Sequence, residues 1–358
     1  MMKITVITDI PSPYQVELFN AVARQNREFR AVYVRRQDPS RQWGAQKLEH
    51  EHTYLEELSL ADEKAVVEDP ELLVFSFYGT PQVQRMMAAR ARSGKAWCFW
   101  GERLGFRHSG ILGKLYRRWR LRILQHSRAP IWGIGQWALE SYINEFGTRR
   151  HYHNVPYFSD LSRFCVPAKE KSSESTKRIF LFSGSFIERK GVDVLAEAFL
   201  RVAADFPHCH LHLLGDGPLR GHLEAALSPL GERVRFLGFR DWDELPAAYA
   251  EADVLCAPSR HDGWALVVPE GLAAGLPVIS TDRTGAAQDL IRDGENGWMT
   301  RAGDPTALEK ALRSAAALST DELTCMSEAA RASALNHSLA SGAERFLEAA
   351  RASIINKS

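Results

Sequence analysis

The fold is decided by residues 179–204, IFLFSGSFIERKGVDVLAEAFLRVAA. A short apolar run at residues 179–183 is followed by a polar loop and then by an amphipathic stretch at residues 192–204, which predicts a strand, a loop and a helix. Parallel strands covered by helices on both faces produce this alternation. Because it recurs along most of the chain, we predict an α/β protein built on parallel sheets.

The same alternation continues on both sides of this stretch. In the second half it predicts strands at residues 210–214, 234–237, 254–256 and 277–280, helices at residues 219–227, 244–250 and 270–274, and a helical tail from residue 305. In the first half it predicts strands at residues 4–8, 31–34, 72–77, 96–100 and 130–134, and helices at residues 14–24, 81–92, 110–125 and 137–146.

A polar, Ser-rich stretch separates the two halves. It covers residues 166–177 and shows no hydrophobic period, as expected of a linker. A chain of 358 residues is also long enough for two domains. We therefore predict an N-terminal domain at residues 1–165 and a C-terminal domain at residues 178–339, each a doubly wound Rossmann-like sheet.

Composition excludes several classes of protein. With 45% hydrophobic and 25% charged residues the chain is typical of a folded globular protein, and its net charge of +1 argues against broad nucleic-acid binding. No apolar window is long enough for a membrane span or a signal peptide, which favours a cytoplasmic protein. The cysteines are odd in number and lack a CxxC pair, which argues against disulfides and a zinc ribbon: Cys98, Cys165, Cys209, Cys256 and Cys325.

Three loops follow successive strands of the second half and should meet at one edge of the sheet. The first places Arg189 and Lys190 just before a helix, where two fixed positive charges suit a diphosphate. The second, at residues 214–218, is Gly-rich and is a weak signal alone. The third could offer main-chain groups and the Phe239 ring to a flat base, although an ordinary turn has the same residues.

A fourth loop carries two carboxylates, Asp262 and Glu270. A turn leading into a helix would let both carboxylates, and the backbone amides of residues 263–266, face one pocket. Carboxylates repel a bare phosphate, so beside phosphate-binding amides they indicate neutral hydroxyl partners, namely a ribose and a sugar. The combination predicts a nucleotide-sugar site.

These loops resemble the hallmark of a known enzyme family. The family has E-G-F-G-L-x-x-x-E after a Pro-Ser strand end, preceded by G-x-x-x-x-x-K-G. Here the two motifs stand as DGWALVVPE, residues 262–270, and GSFIERKG, residues 184–191. Residues 179–299 thus resemble the retaining glycosyltransferases of family 4, or group 1, which have GT-B architecture; residues 10–14, IPSPY, and residues 155–164 fit more loosely. The resemblance implies two domains facing a central cleft, with the C-terminal helix, about residues 340–358, returning to the first domain.

The resemblance also implies roles for individual residues. Arg189 and Lys190 would act on the diphosphate and Asp262 on the transferred sugar, and these three are the expected catalytic residues. Glu270 would bind the ribose. The remaining donor-binding positions are Ser183, Gly184, Gly215, Gly238, Phe239, Gly263, Trp264, Ala265 and Leu266. The sequence departs from the family where Asp262 replaces Glu, and Trp264 and Ala265 replace Phe and Gly, so we expect the Trp264 ring to narrow the donor pocket.

The family's chemistry implies a reaction and its partners. Sugar would pass, with retention at the anomeric carbon, from a nucleoside-diphosphate sugar to a glycan or glycolipid acceptor in surface-polysaccharide assembly. The leaving phosphate oxygen can accept the proton, so neither a side-chain base nor a cofactor or metal is expected. Tyr14, in the Pro-Ser-Pro-Tyr loop, and Glu102 with Arg103 follow strands of the first half and are the predicted acceptor-binding residues.

Rival patterns are weaker. Asp241-Trp-Asp243 has the form of a metal-binding DxD, but it precedes a helix, so a helix-capping role is favoured. His208, His210 and His212 alternate along a strand and are interpreted as structural. Residues 133–138, GIGQWA, match a dinucleotide fingerprint and keep an NAD-dependent oxidoreductase open, although no acid follows at the expected distance. A catalytically weak, nucleotide-binding partner of another transferase is a further alternative.

Residues 101–130 form a strongly basic segment, with eight cations against one acid and a net charge of +7. On a helical wheel an apolar stripe lies opposite the cations Lys114, Arg117, Arg118, Arg120 and Arg122. One interpretation is an ordinary surface helix whose stripe packs on the sheet. The other adds a contact of the basic arc with anionic lipid, each cation contributing about 1 kcal/mol. This second interpretation predicts a peripheral protein on the inner face of the cell membrane.

Overall fold

The computed structural model describes residues 1–38, 46–104, 110–165 and 177–355. The chain divides into two compact units, the first made of Met1–Asp160 with Ser338–Ser358 and the second of Leu161–His337. The linker predicted at residues 166–177 lies outside the described residues except for Lys177. Each unit contains one parallel sheet with covering helices, which confirms the predicted α/β class with two doubly wound Rossmann-like domains.

The first unit has a seven-stranded sheet in the order β3-β2-β1-β4-β5-β6-β7. Its strands are β1 Ile4–Thr8, β2 Phe29–Tyr33, β3 Glu51–Tyr54, β4 Leu72–Phe75, β5 Trp97–Gly101, β6 Ile131–Gly133 and β7 Tyr152–Asn154. Its helices are α1 Pro13–Gln25, α2 Leu60–Glu68, α3 Pro81–Arg92, α4 Gly110–Arg120, α5 Arg122–Gln125, α6 Gln136–Phe146 and, from the C-terminal segment, α14 Leu339–Ile355.

The C-terminal helix α14 is part of the core of the first unit. Its Phe346 ring is fully buried and lies 5.0 Å from the ring of Trp132 and 5.9 Å from that of Trp100. The indole N–H of Trp132 donates to Ser353 Oγ at 3.1 Å. Burial of large aromatic rings with their polar atoms paired fixes the helix on the sheet.

The second unit has a six-stranded sheet in the order β10-β9-β8-β11-β12-β13. Its strands are β8 Arg178–Ser183, β9 Cys209–Leu214, β10 Val234–Gly238, β11 Val254–Ala257, β12 Val278–Thr281 and β13 Gly297–Thr300. Its helices are α7 Val192–Asp205, α8 Arg220–Leu227, α9 Leu245–Glu251, α10 Val267–Ala274, α11 Gly285–Leu290, α12 Pro305–Ala317 and α13 Thr320–Leu335.

Both sheets reverse their strand order once. In the first unit β1 lies between β2 and β4, and in the second unit β8 lies between β9 and β11. Successive strands are added outward on one side of β1 or β8, and the chain then crosses to the other side. At such a switch point the neighbouring loops diverge and leave a crevice at the carboxyl ends of the strands, which is where open α/β sheets bind ligands.

The basic segment differs from the helix and the inward apolar stripe predicted for it. The helix predicted at residues 110–125 is interrupted at Leu121, which has non-helical backbone angles, so it forms α4 and α5. Among the described residues, half of the exposed large apolar side chains lie on α4, where Leu112 is 82% and Trp119 60% exposed. These residues form the outward face of α4: Ile111, Leu112, Leu115, Tyr116 and Trp119. The expectation that the apolar stripe packs on the sheet is therefore wrong.

Some of the cations predicted to face lipid instead contact the first unit. Arg117 is largely buried, with its Nε 3.6 Å from a carboxylate oxygen of Glu145. The guanidinium of Arg120 lies 5.7 Å from the centre of the Tyr78 ring. Arg118 and Arg122 are exposed, and the side chain of Lys114 lies outside the described part of the structure. The helix thus turns Arg117 and Arg120 inward and most of its apolar stripe outward.

Candidate functional site

The loops after β8 and β11 lie together at the switch point of the second unit. Gly191, which ends the first of these loops, has a φ of 69°, and a Cβ at this position would collide with the carbonyl oxygen of Pro258. The left-handed conformation and the lack of a side chain are both needed for this approach. Glycine at residue 191 therefore lets the Arg189-Lys190 loop reach the loop that carries Asp262.

Arg189, Lys190 and Asp262, the three predicted catalytic residues, form one cluster. Lys190 Nζ donates to Asp262 Oδ2 at 2.6 Å, and Arg189 Nη1 donates to the same oxygen at 3.3 Å. Burial by itself would raise the pKa of Asp262, but the charges and hydrogen bonds of the two cations outweigh it and hold the pKa below its usual range. At neutral pH the carboxylate is ionised, and the cluster has a net charge of +1.

Arg260 links the loop after β11 to the loop after β8 through hydrogen bonds. Its backbone N–H donates to the carbonyl of Arg189 at 2.9 Å, and its guanidinium donates to both carboxylate oxygens of Asp193 at 2.7 Å. It also donates to the carbonyl of Glu188. Two-pronged pairing of this kind fixes both position and orientation. Sequence reasoning missed Arg260 and Asp193, although Arg260 lies two residues before Asp262.

Glu270 is buried in the first turn of α10. One of its carboxylate oxygens accepts a hydrogen bond from the hydroxyl of Tyr249 at 3.0 Å, and the side chain of Ser183 acts on the same hydroxyl by lowering its pKa. Glu270 and Ser183, both predicted to bind the donor, are thus brought together through a residue that the sequence analysis did not single out. The only signal for Tyr249 was its place as an apolar-face aromatic on a predicted helix.

The predicted glycines after β8, β9 and β10 lie side by side. The N–H of Gly184 donates to the carbonyl of Leu214 and that of Gly215 to the carbonyl of Gly238, both at 2.9 Å. These backbone hydrogen bonds continue the sheet, so the two N–H groups already have acceptors within the protein. Phe239, the predicted contact for the base, is 51% exposed, so its ring is accessible at the end of β10.

The residues between the two carboxylates contribute mainly through their backbone. The N–H of Trp264 donates to the Asp262 carboxylate, and the carbonyl of Gly263 lies against Gly285. Ala265 has a φ of 70°, and Leu266 precedes α10. The Trp264 ring is buried and stacked on His337, with ring centres 5.5 Å apart. That the Trp264 ring narrows the donor pocket stays a prediction.

The first unit has a pocket at its own switch point, with a volume of about 380 Å³. All three predicted acceptor residues, Tyr14, Glu102 and Arg103, line it. The ring of Tyr14 lies 4.6 Å from that of Tyr157, and burial, the charge of Glu102 and hydrogen bonds to Glu102 and Tyr14 raise the pKa of Tyr157. The pocket therefore presents phenol and carboxylate groups, which suit the hydroxyls of a saccharide.

The guanidinium of Arg103 lies 4.4 Å from the centre of the Trp137 ring. This cation–π contact holds the side chain on the wall of the pocket. Arg103 therefore adds a positive charge beside the carboxylate of Glu102.

The structure also places the rival motifs. The residue before α9 is Glu244, whose carboxylate accepts from the N–H of Asp241, and α9 has no side-chain cap, so the capping role predicted for the Asp241-Trp-Asp243 motif is wrong. His212 is buried in β9, and burial lowers its pKa.

The dinucleotide-like residues 133–138 do connect β6 to α6. The next strand, β7, ends at Asn154 and is followed by Val155, so the acid that would bind an NAD ribose is missing there. Among the described residues, no helix is both long and apolar enough to cross a bilayer.

Two parallel-sheet Rossmann-like units define the class of the fold as that of GT-B glycosyltransferases. Residues 177–317 match the family described as glycosyl transferases group 1, so the resemblance found in the sequence is confirmed.

Relatives with known names are similar over part of the chain. The lipopolysaccharide core biosynthesis glycosyltransferase LpsE of Rhizobium meliloti (strain 1021) is 34% identical over 173 residues, which cover 48% of this chain and 49% of that protein. The phosphatidyl-myo-inositol mannosyltransferase of Mycobacterium leprae (strain TN) is 39% identical over 134 residues, which cover 37% and 35%. The chain thus spans half or less of the curated relatives it matches.

Solved structures resemble nearly the whole fold. Anabaena Alr3699/HepE, in complex with UDP and glucose, has a TM-score of 0.72 at 17% identity, covering 98% of this chain and 100% of that one. The lipopolysaccharide outer core galactosyltransferase WaaB, in its apo form, has a TM-score of 0.71 at 16% identity, covering 98% and 99%. At these identities the likeness concerns the fold.

Proposed function

We propose that the chain is a retaining glycosyltransferase that moves a sugar from a nucleoside-diphosphate sugar to a glycan or a lipid-linked saccharide. The observation that carries the proposal is the cluster of Arg189, Lys190 and Asp262 at the switch point of the second unit. The names of the similar proteins, which include lipopolysaccharide core and phosphatidylinositol glycosyltransferases, support surface glycolipid or polysaccharide as the product.

The proposed reaction breaks the bond between the anomeric carbon and the leaving phosphate oxygen. The acceptor oxygen bonds to that carbon from the same face, and its proton passes to the leaving phosphate oxygen. Negative charge therefore develops on the diphosphate beside Arg189 and Lys190. Preorganised cations at such a position contribute several kcal/mol to the transition state. Because they supply the positive charge, we propose that the reaction needs neither a metal nor a cofactor.

The carboxylates have a different task in this proposal. Asp262 is ionised and can only accept hydrogen bonds, so it is suited to hydroxyls of the transferred sugar. Glu270 would accept from the ribose hydroxyls, and the exposed ring of Phe239 would stack on the base. The pocket lined by Tyr14, Glu102 and Arg103 would bind the acceptor.

We further propose that the protein works peripherally on the inner face of the cell membrane, through α4. Its outward face is apolar, and the exposed Arg118 and Arg122 lie beside it. No acidic residue occurs between Glu102 and Glu140, so a second copy of this basic face would be repelled, whereas anionic headgroups would be attracted. An apolar face flanked by cations is the pattern of helices that lie in the membrane interface.

The donor proposal is tested by thermal unfolding with a panel of nucleotide sugars. A ligand at 100 times its dissociation constant stabilises the folded state by about 2.7 kcal/mol, and we expect this from one donor with the wild type but not with Lys190→Met. If no nucleotide sugar stabilises the wild type, the proposal is wrong. Hydrolysis of that donor by the protein would distinguish an enzyme from an inactive nucleotide-binding partner. The NMR signal of the anomeric proton in the product would test whether the configuration is retained. The absorbance spectrum of NADH with and without the protein would test the oxidoreductase alternative.

A further inference from the structure

Tyr249 lies directly behind the proposed ribose-binding carboxylate. Its side chain comes from α9 and is fully buried, and its hydroxyl is 3.0 Å from Glu270 Oε2. The side chain of Ser183, the last residue of β8, also acts on that hydroxyl, whose pKa it lowers. Three elements of the second unit thus meet at the Tyr249 hydroxyl, whose hydrogen bond ends on Glu270.

The direction of this hydrogen bond agrees with the ionisation of the phenol. Burial raises the pKa of Tyr249 well above its usual value, and the charge of Glu270 raises it further, whereas the side chain of Ser183 lowers it by less. Tyr249 is therefore neutral, and its hydroxyl donates to Glu270 Oε2.

The ring of Tyr249 is also fixed. It packs against the buried ring of Phe164, with ring centres 5.0 Å apart and planes tilted by 59°. Moving the hydroxyl away from Glu270 would break this buried aromatic contact. The donor of the hydrogen bond is therefore held before any ligand arrives.

We infer that Tyr249 is a positioning residue that sets the orientation of the Glu270 carboxylate for the two ribose hydroxyls. The inference rests on the proposed function, because it takes Glu270 as the ribose ligand. The last torsion of a glutamate is broad, so an unsupported carboxylate samples many planes. A hydrogen bond on Oε2 removes this freedom before the ribose binds.

The test measures nucleotide affinity with and without ribose hydroxyls. Tyr249→Phe keeps the ring and removes the hydroxyl. We would measure dissociation constants of UDP, GDP and ADP, and of their 2′,3′-dideoxy forms, by calorimetry. For the ribonucleotide that the wild type binds, we expect affinity to fall about 10-fold in Tyr249→Phe, the effect of one hydrogen bond to a charged group. Affinity for its dideoxy form should change less than about 2-fold, because the hydroxyls that depend on this bond are absent.

A double-mutant cycle with Glu270→Gln provides the second measurement. If Tyr249 acts through Glu270, the double variant should lose less affinity than the two single losses combined. Tyr33→Phe is the matched control, since Tyr33 is a buried tyrosine of the first unit whose hydroxyl lies 2.9 Å from His50 Nε2. It should leave nucleotide affinity unchanged.

Several outcomes would overturn the inference. Equal losses for ribo and dideoxy nucleotides would show a general disturbance, and additive losses would show that Tyr249 does not act through Glu270. If Tyr249→Phe does not fold, Ser183→Ala should give a smaller loss with the same dependence on ribose, and a loss independent of ribose would refute the inference. A wild type that binds no ribonucleotide would overturn the proposed function and this inference together, which distinguishes that failure from the others.

Discussion

Lys190 Nζ lies 2.6 Å from Asp262 Oδ2, so a cation proposed to bind the diphosphate is paired with an acid proposed to bind the sugar. The two residues follow β8 and β11, the strands on either side of the switch point of the second unit. The pair holds both side chains in place before a donor binds, which reduces the reorganisation needed during the reaction. A donor would find the two groups already at a fixed distance from each other.

Asp262→Asn should destabilise the second unit, and the effect should depend on pH. Removing one partner of a largely buried ion pair costs about 3 kcal/mol, here because Lys190 loses its counter-charge. The folded-state pKa of Asp262 is lowered, so its contribution is fully present above the unfolded-state pKa of about 3.9 and disappears as the pH falls through the lower folded value.

Urea denaturation of wild type and Asp262→Asn between pH 3 and 7 would measure this difference. The difference in the free energy of unfolding between wild type and Asp262→Asn should become smaller towards pH 3. Asp205→Asn, which removes an exposed partner of Arg313, is the control and should show only a small gap. A gap at Asp262 that stays constant down to pH 3 would contradict the assigned shift.

Arg260→Met should slow sugar transfer more than it weakens donor binding. The change removes the contacts with both oxygens of Asp193 and with the carbonyl of Glu188, so the Arg189-Lys190 loop is held less firmly. Because small displacements of catalytic groups are costly, we expect kcat to fall about 10-fold or more. Steady-state kinetics with the donor found by thermal unfolding would measure it, with Arg313→Met as the control. Equal kinetics for both variants would exclude this role of Arg260.

Gly191→Ala should destabilise the protein strongly. A methyl group at residue 191 would meet the carbonyl oxygen of Pro258 in a backbone with a φ of 69°, so strain and collision add to a loss of about 2 kcal/mol or more. Gly221→Ala on α8 is the matched control, because nothing lies within 4 Å of its added Cβ. Chemical denaturation should show no loss for the control. A stable Gly191→Ala variant would disprove the close approach of the two loops.

Both the apolar face of α4 and the exposed cations beside it, Arg118 and Arg122, should be needed for vesicle binding. Exchange of Leu115 and Trp119 to Ser removes apolar contact, and exchange of Arg118 and Arg122 to Glu replaces attraction by repulsion. Each cation near the surface contributes about 1 kcal/mol, and each large apolar side chain buried in the membrane interface contributes about 1.5 kcal/mol or more. We therefore expect each double variant to bind vesicles containing phosphatidylglycerol at least about 10-fold more weakly. Flotation with vesicles would measure this, with Arg351→Glu on α14 as the control. Binding by the Ser variant at the wild-type level would refute insertion of the apolar face.

The sequence predicts the strands inside the two sheets and misses edge strands whose residues are polar or lack a pattern. β8 lies inside its sheet and is an apolar run, whereas β3, with the sequence EHTY, is a polar edge strand and gives no periodic signal. β7 and β13 are also edges of their sheets and are missed, whereas the edge strand β10 is predicted because its sequence VRFLG is largely apolar. At an edge only one neighbour is paired, and tertiary contacts rather than local pattern decide whether a strand forms.

The residues of the candidate site also divide into those that the sequence predicts and those that only the structure reveals. Arg189, Lys190, Asp262 and Glu270 could be predicted because loops that follow successive parallel strands meet at one edge of the sheet, and because these residues stand at the motif positions of a known family. Tyr249 and Arg260 support them from outside the motif, and their partners are distant in sequence, so only the fold brings them together. The orientation of α4 could not be predicted from the sequence either. The hydrophobic period of a helix shows which residues share its apolar stripe, but not whether that stripe faces the sheet or the solvent.

The outward face of α4 also governs how the protein behaves in solution without lipid. Each molecule carries an exposed apolar patch beside the positive charges of Arg118 and Arg122. At low ionic strength, repulsion between these charges keeps the apolar patches of two molecules apart. Salt shortens the range of that repulsion to about 8 Å at physiological strength, while the apolar attraction persists. Added salt should therefore weaken binding of the protein to anionic vesicles. Without vesicles, added salt should promote self-association, so the same surface makes one kind of binding weaker and the other stronger as salt rises.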